Sequence, residues 1–138
     1  MRLVLDTNVM VSALLWHGSP SRLFRRGLEE GHSFFTSPPL LAELTNVLLR
    51  PKLRLQIAKS QLSIANLIDT YCESTTSVEP GPTTRIVSDP DDDVVIGTAL
   101  AAEADLIVTG DRALLSVEQY EGVRIVSVSE ALKAIALG

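Results

Sequence analysis

Asp6 and Asp111 each close a short apolar run, where a carboxylate can hold a cation or act on a bound substrate. Leu3-Val4-Leu5 leads into Asp6, and Leu106-Ile107-Val108 leads through Thr109-Gly110 into Asp111. Three apolar residues with no polar alternation suit a strand covered on both faces, the habit of a parallel sheet flanked by helices. Ligands of such sheets gather outside the carboxyl ends of the strands. If both runs lie parallel in one sheet, Asp6 and Asp111 emerge on the same edge despite their separation in the chain.

Two more acidic positions join them. Ser37-Pro38 opens a helix that runs through Leu49 and is stopped by Pro51, with Leu40, Leu41, Leu44, Val47 and Leu48 as its apolar stripe. Glu43 falls roughly 100° from the centre of that stripe, on the border between core and water. Ser88-Asp89-Pro90-Asp91-Asp92-Asp93 precedes the apolar run Val94 to Leu100 and reads as an acidic helix N-terminus, where negative charge meets the positive end of the dipole. One acid suffices for a cap; the surplus asks for another cause. Asp6, Glu43, Asp111 and one of Asp92 or Asp93 would all reach the carboxyl edge.

Carboxylates gathered in one place repel, and a divalent ion removes the conflict. Oxygen donors without histidine or cysteine select hard ions such as Mg²⁺ or Mn²⁺ over zinc. His17 and His32 lack metal-ligand spacing and read as non-catalytic; the single cysteine, Cys72, has no partner for an internal disulfide. A carboxylate-held Mg²⁺ acts most naturally on phosphate esters.

The remaining elements must position these groups. Helices are expected over Asn8 to Leu15, from a Ser19 cap with Pro20 first in the helix to near Gly31, over one or two segments between Lys52 and Tyr71, over Arg112 to Val117, and from a Ser129 cap to Leu137. In the second of these, Leu23, Phe24 and Leu28 face inward. Strands are expected at His32 to Thr36, Ser74 to Val78 and Val123 to Val126, with Pro80-Gly81-Pro82-Thr83-Thr84 a loop. Alternating strands and helices imply an open, mostly parallel α/β sheet with right-handed crossovers.

At 138 residues and 46% apolar content, the chain has the size of one folded domain, residues 1–138. Its apolar runs are too short to span a bilayer, and Asp6 interrupts any leader-like segment, so the cytoplasm is the expected compartment. A net charge of −5 argues mildly against a nucleic-acid binder, although acids concentrated in one site can dominate the sum. Arg22, Arg25 and Arg26 form one basic cluster and Arg50, Lys52, Arg54 and Lys59 a second, both read first as solvated helix faces. Leu14, Leu15 and Trp16 offer apolar surface for a partner, though such residues are more often core.

Asp6-Thr7-Asn8 after an opening strand, Glu43 on a helix begun by Ser-Pro-Pro, Asp-Pro-Asp-Asp-Asp entering a helix, and Thr109-Gly110-Asp111 after a strand together resemble a PIN domain. The similarity is greatest to the small single-domain VapC-type ribonucleases, the toxins of toxin–antitoxin pairs. It covers essentially the whole chain. The resemblance implies a three-layer α/β/α sandwich with a five-stranded parallel sheet in the order 3-2-1-4-5. It further implies Mg²⁺- or Mn²⁺-dependent endoribonuclease activity on RNA, a homodimer and inhibition by a cognate antitoxin protein. Asp6, Glu43 and Asp111 match metal ligands and catalytic acids, and Asn8 and Thr109 match groups that orient them. Asp92 matches the remaining acid, with Asp93 as the alternative.

Two other readings stay open. A catalytically inactive PIN-like module would bind RNA or protein without turnover. A haloacid-dehalogenase-like phosphatase would use Asp6 as nucleophile, but that pattern wants an acid two residues later, where this chain has Asn8.

Overall fold

The computed structural model describes residues 1–82 and 90–137, the side chain at position 91 excepted. Its elements are β1 (Arg2–Leu5), α1 (Thr7–Leu15), α2 (Ser19–Glu29), β2 (Ser33–Thr36), α3 (Pro38–Leu48), a 3-10 turn (Pro51–Leu53), α4 (Arg54–Ser60), α5 (Ile64–Glu73) and β3 (Thr76–Ser77). Then follow α6 (Pro90–Ala101), β4 (Leu106–Val108), α7 (Arg112–Leu115), β5 (Gln119–Tyr120), β6 (Val123–Val126) and α8 (Val128–Leu137). The sheet runs β3-β2-β1-β4-β6-β5. Every neighbouring pair is parallel except β5 with β6. With β6 in fifth place, the parallel strands keep the expected order 3-2-1-4-5; β5 is an additional antiparallel edge.

The central strands are covered on both faces, as their unbroken apolar runs predict. Leu3 and Leu5 of β1 pack into one cluster with Leu23, Phe24, Leu44 and Ile135, whereas Val4 points into a second with Ile96, Ala99 and Leu114. β4 divides the same way, Leu106 and Val108 to the first cluster and Ile107 to the second. The result is helix, sheet and helix in three layers, with α6 on the second face. Tyr71 pins α5 to β2 by donating its hydroxyl to Thr36 Oγ1. Burial pushes the Tyr71 phenol up to about 12, so it remains a neutral donor across the physiological range.

Several local expectations are corrected. Gly18, not Ser19, is the N-cap of α2, which places Ser19 and Pro20 inside its first turn. Ser127, not Ser129, caps α8. Ser127 Oγ accepts from the Glu130 N–H at 3.2 Å, while Glu130 Oε1 accepts from the Ser127 N–H at 3.2 Å, a reciprocal capping box. The inward stripe of α2 holds Leu23, Phe24 and Gly27, and Leu28 is exposed. Thr83, Thr84, Ser88 and Asp89, assigned above to a loop and a helix cap, lie outside the described residues.

Gly27 sits where a side chain has no room. A Cβ there would lie 2.5 Å from Phe34 Cζ and 2.7 Å from Cε2. Phe34 is itself fixed edge-on against Phe24, with ring centroids 4.9 Å apart. Gly27→Ala should therefore destabilise the fold, because overpacking of about 1–3 kcal/mol exceeds the roughly 1 kcal/mol that alanine gains in helix propensity. A urea midpoint equal to or above that of the unsubstituted chain would contradict this packing.

Candidate functional site

The parallel register brings two of the acids to adjoining strand ends. β1 and β4 are neighbours with Leu5 opposite Val108, so the residues that follow them leave the sheet side by side. Asp6 continues the ladder, its N–H donating to Val108 O at 2.9 Å. Its extended backbone then turns the chain into α1, for which it is the N-cap. Asp6 Oδ1 accepts from the Thr7 N–H at 2.8 Å and Oδ2 from Thr109 Oγ1 at 2.7 Å.

Thr109 is the link to the second acid. It is fully buried, and its N–H donates to Val126 O of β6 at 3.0 Å, which fixes its backbone beneath the edge. Its hydroxyl gives its single proton to Asp6 and accepts the Asp111 N–H at 3.0 Å. One buried hydroxyl thus orients the Asp6 carboxylate and the Asp111 backbone together. Asp111 is the N-cap of α7, where Oδ1 accepts from the N–H groups of Ala113 at 2.8 Å and Leu114 at 3.3 Å. Capping occupies only that oxygen; among the described residues, Asp111 Oδ2 accepts no hydrogen bond.

Glu43 and the α6 acids come from helices tied to each other. Glu43 lies in the second turn of α3, half-buried at the border that its helical phase predicted. Asp92 lies in the first turn of α6 with 5% exposure, and Asp93 is half-buried beside it. Ser37 holds the N-cap position of α3, yet its side chain makes no capping bond. Instead Ser37 Oγ meets Thr98 Oγ1 of α6 at 2.8 Å, both residues being fully buried. Thr98 spends its own proton on Val94 O at 2.8 Å, so Ser37 is the donor. The sequence marks Ser37 only as a cap, and its partner lies too far along the chain for a local pattern to disclose.

Among the described residues, no three Asp, Glu, His or Cys side chains stand close enough to share one ion. The assembled unit is Asp6-Thr109-Asp111, with Glu43, Asp92 and Asp93 on the flanking helices. Asn8 is exposed on the first turn of α1, and its side chain makes no hydrogen bond among the described residues. The histidines stand apart from this unit: His17 is exposed, and the buried His32 meets the Met1 amino group through Nδ1 at 2.7 Å. Cys72 is an exposed free thiol whose pKa is raised by partial burial and, to a lesser degree, by Asp69, which makes it a poor nucleophile.

A family model described as "PIN domain" matches residues 2–113. Among solved structures, the chain is similar to one in "Crystal structure of VapBC2 from Rickettsia felis bound to a DNA fragment from their promoter". The identity is 15%, the match covers 92% of this chain and 98% of that one, and the TM-score is 0.64. At that identity the likeness shows the fold. No curated protein sequence matches the chain.

Proposed function

The chain belongs to the PIN domain family, and from that membership and its strand-end acids we propose that it is a Mg²⁺- or Mn²⁺-dependent endoribonuclease, the toxin of a toxin–antitoxin pair. The observation that carries this reading is the Thr109 hydroxyl held between Asp6 and Asp111. A buried threonine spent on aligning two acids is more than two helix caps require. The antitoxin partner is supported by the complex named for the structural relative. A homodimer and a cytoplasmic setting belong to the same proposal; among the described residues, no helix is long and apolar enough to cross a membrane.

The donor set fits a hard cation in kind: carboxylate oxygens only, with Asp111 Oδ2 outside the hydrogen bonds of the described residues and Asp92 a buried acid. Asp6, Glu43, Asp92 and Asp111 would hold the ion, with Asp93 the alternative to Asp92 and with Asn8 and Thr109 orienting the ligands. A bound Mg²⁺ or Mn²⁺ would supply Lewis acidity toward the scissile phosphodiester. The chain's own work is positional. Thr7 N–H and Thr109 Oγ1 fix both oxygens of Asp6, the α7 cap fixes Asp111, and the Ser37–Thr98 bond keeps the Glu43 helix in register with the Asp92 helix.

The purified chain should cleave single-stranded RNA in Mg²⁺ or Mn²⁺ and stop when EDTA removes the ion. Undiminished cleavage in EDTA would overturn the metal-dependent reading. RNA binding without turnover in any divalent ion would instead favour the inactive module.

A further inference from the structure

The carboxyl edge of the sheet is lined by acids, yet the substrate proposed for it is a polyanion. The chain leaves the parallel strands through residues 6–10, 37–41, 78–82, 109–115 and 127–131, and α6 opens on the same edge over 90–93. Among the described residues of these segments the acids include Asp6, Asp92, Asp93 and Asp111, and the one Lys or Arg is Arg112. The other described cations lie elsewhere. Arg2 begins β1, Arg124 stands in the amino half of β6, and the rest belong to α2, to the stretch from Arg50 to Lys59, and to the second turn of α8.

Arg112 follows Asp111 directly and is the first residue of α7. The bonds that hold Asp111 also fix the rotation of that turn: Asp111 Oδ1 accepts from the N–H groups of Ala113 and Leu114, and Thr109 Oγ1 accepts from the Asp111 N–H. Leu114 is fully buried in the second cluster. Two residues earlier, Arg112 lies roughly 200° round the helix from it, on the side turned away from that cluster. It is exposed, and its guanidinium makes no hydrogen bond or ion pair among the described residues. The side chain is thus set at its root by the network that orients a candidate metal ligand and is unengaged at its tip.

We propose that Arg112 is a catalytic residue that takes the non-bridging oxygens of the scissile RNA phosphate in its planar fork. The inference rests on the nuclease reading, which supplies the reaction. Carboxylates that hold a cation do nothing to attract the phosphate itself. An attacking water oxygen brings further negative charge to the phosphoryl group before the leaving oxygen carries an electron pair away. A guanidinium fixed against those oxygens therefore binds the transition state more strongly than the ground state. Arginine offers paired, parallel donors for this; lysine offers a point charge.

In single-turnover assays at saturating protein in Mn²⁺, Arg112→Ala should slow RNA cleavage about 100- to 1000-fold. In EDTA, anisotropy of a labelled single-stranded oligoribonucleotide should show its log–log salt slope flattened by about 0.7, one phosphate contact. Arg112→Lys should restore the slope but only part of the rate, which a merely structural residue would not do. Arg124→Ala removes the same charge from the amino half of β6 and should change neither quantity. Both positions are exposed, and circular dichroism checks that each variant folds. A parent chain that cleaves RNA, with Arg112→Ala matching its saturated rate, would overturn the proposal and leave the nuclease reading intact. Equal losses in Arg112→Ala and Arg124→Ala would also overturn it and assign the effect to net charge. A parent that binds RNA and loses slope in Arg112→Ala, yet cleaves in no divalent ion, would remove the nuclease reading and keep the phosphate contact.

Discussion

Asp6→Asn should lower metal-dependent RNA cleavage on the order of a thousand-fold or more, equivalent to about 4 kcal/mol of lost transition-state stabilisation. The substitution removes a charge and little else. The amide oxygen can still accept from the Thr7 N–H, and the amide nitrogen can donate to Thr109 Oγ1, whose own proton then turns elsewhere. The fold should therefore hold, with a Tm close to that of the parent. Cleavage by the purified variant at the parental rate, with contaminating nuclease excluded by a mock purification, would remove Asp6 from the chemistry. A large fall in Tm would show instead that its charge is structural.

Thr109→Val should damage both the fold and the site. Valine keeps the shape but takes away the hydroxyl, and with it the bond to Asp6 Oδ2 and the bond from the Asp111 N–H. Losing both bonds of a buried hydroxyl costs about 1–3 kcal/mol, read as a Tm lower by roughly 3–12 °C. Activity should fall about 10- to 100-fold at fixed Mn²⁺, as when groups behind metal ligands are removed. A purely structural threonine would lower stability alone. One that orients the acids should also raise the Mn²⁺ concentration needed for half-maximal cleavage, and Thr109→Ser should restore it. An unchanged Mn²⁺ dependence in a folded Thr109→Val protein would confine Thr109 to packing.

The features legible in the sequence were those dictated by burial on two sides. β1 and β4 announce themselves as unbroken apolar runs because both faces are covered, and their parallel pairing then places Asp6 beside the Thr109-Asp111 turn. Glu43 was placed correctly at the border of its helix by phase alone. What escaped was set by partners remote in sequence or by features too short for periodicity. β5 is two residues long and exists only because Glu121 and Gly122, with φ of 46° and 87°, turn the chain back onto β6. Gly27 faces inward because Phe34 occupies the space its side chain would need, and no hydropathy pattern marks a glycine as buried. The Ser127 cap was readable: Ser127 with Glu130 three residues later is the capping-box spacing, and Ser129 lacks it.

The ends of the sheet carry a consequence for the protein at high concentration. Among the described residues, both border strands, β3 and β5, are only two residues long. Neither offers a foreign strand the run of open N–H and C=O groups on which intermolecular ladders grow. Crowded copies of this chain are therefore steered away from fibre-like stacking, and any association between them is left to their helical faces.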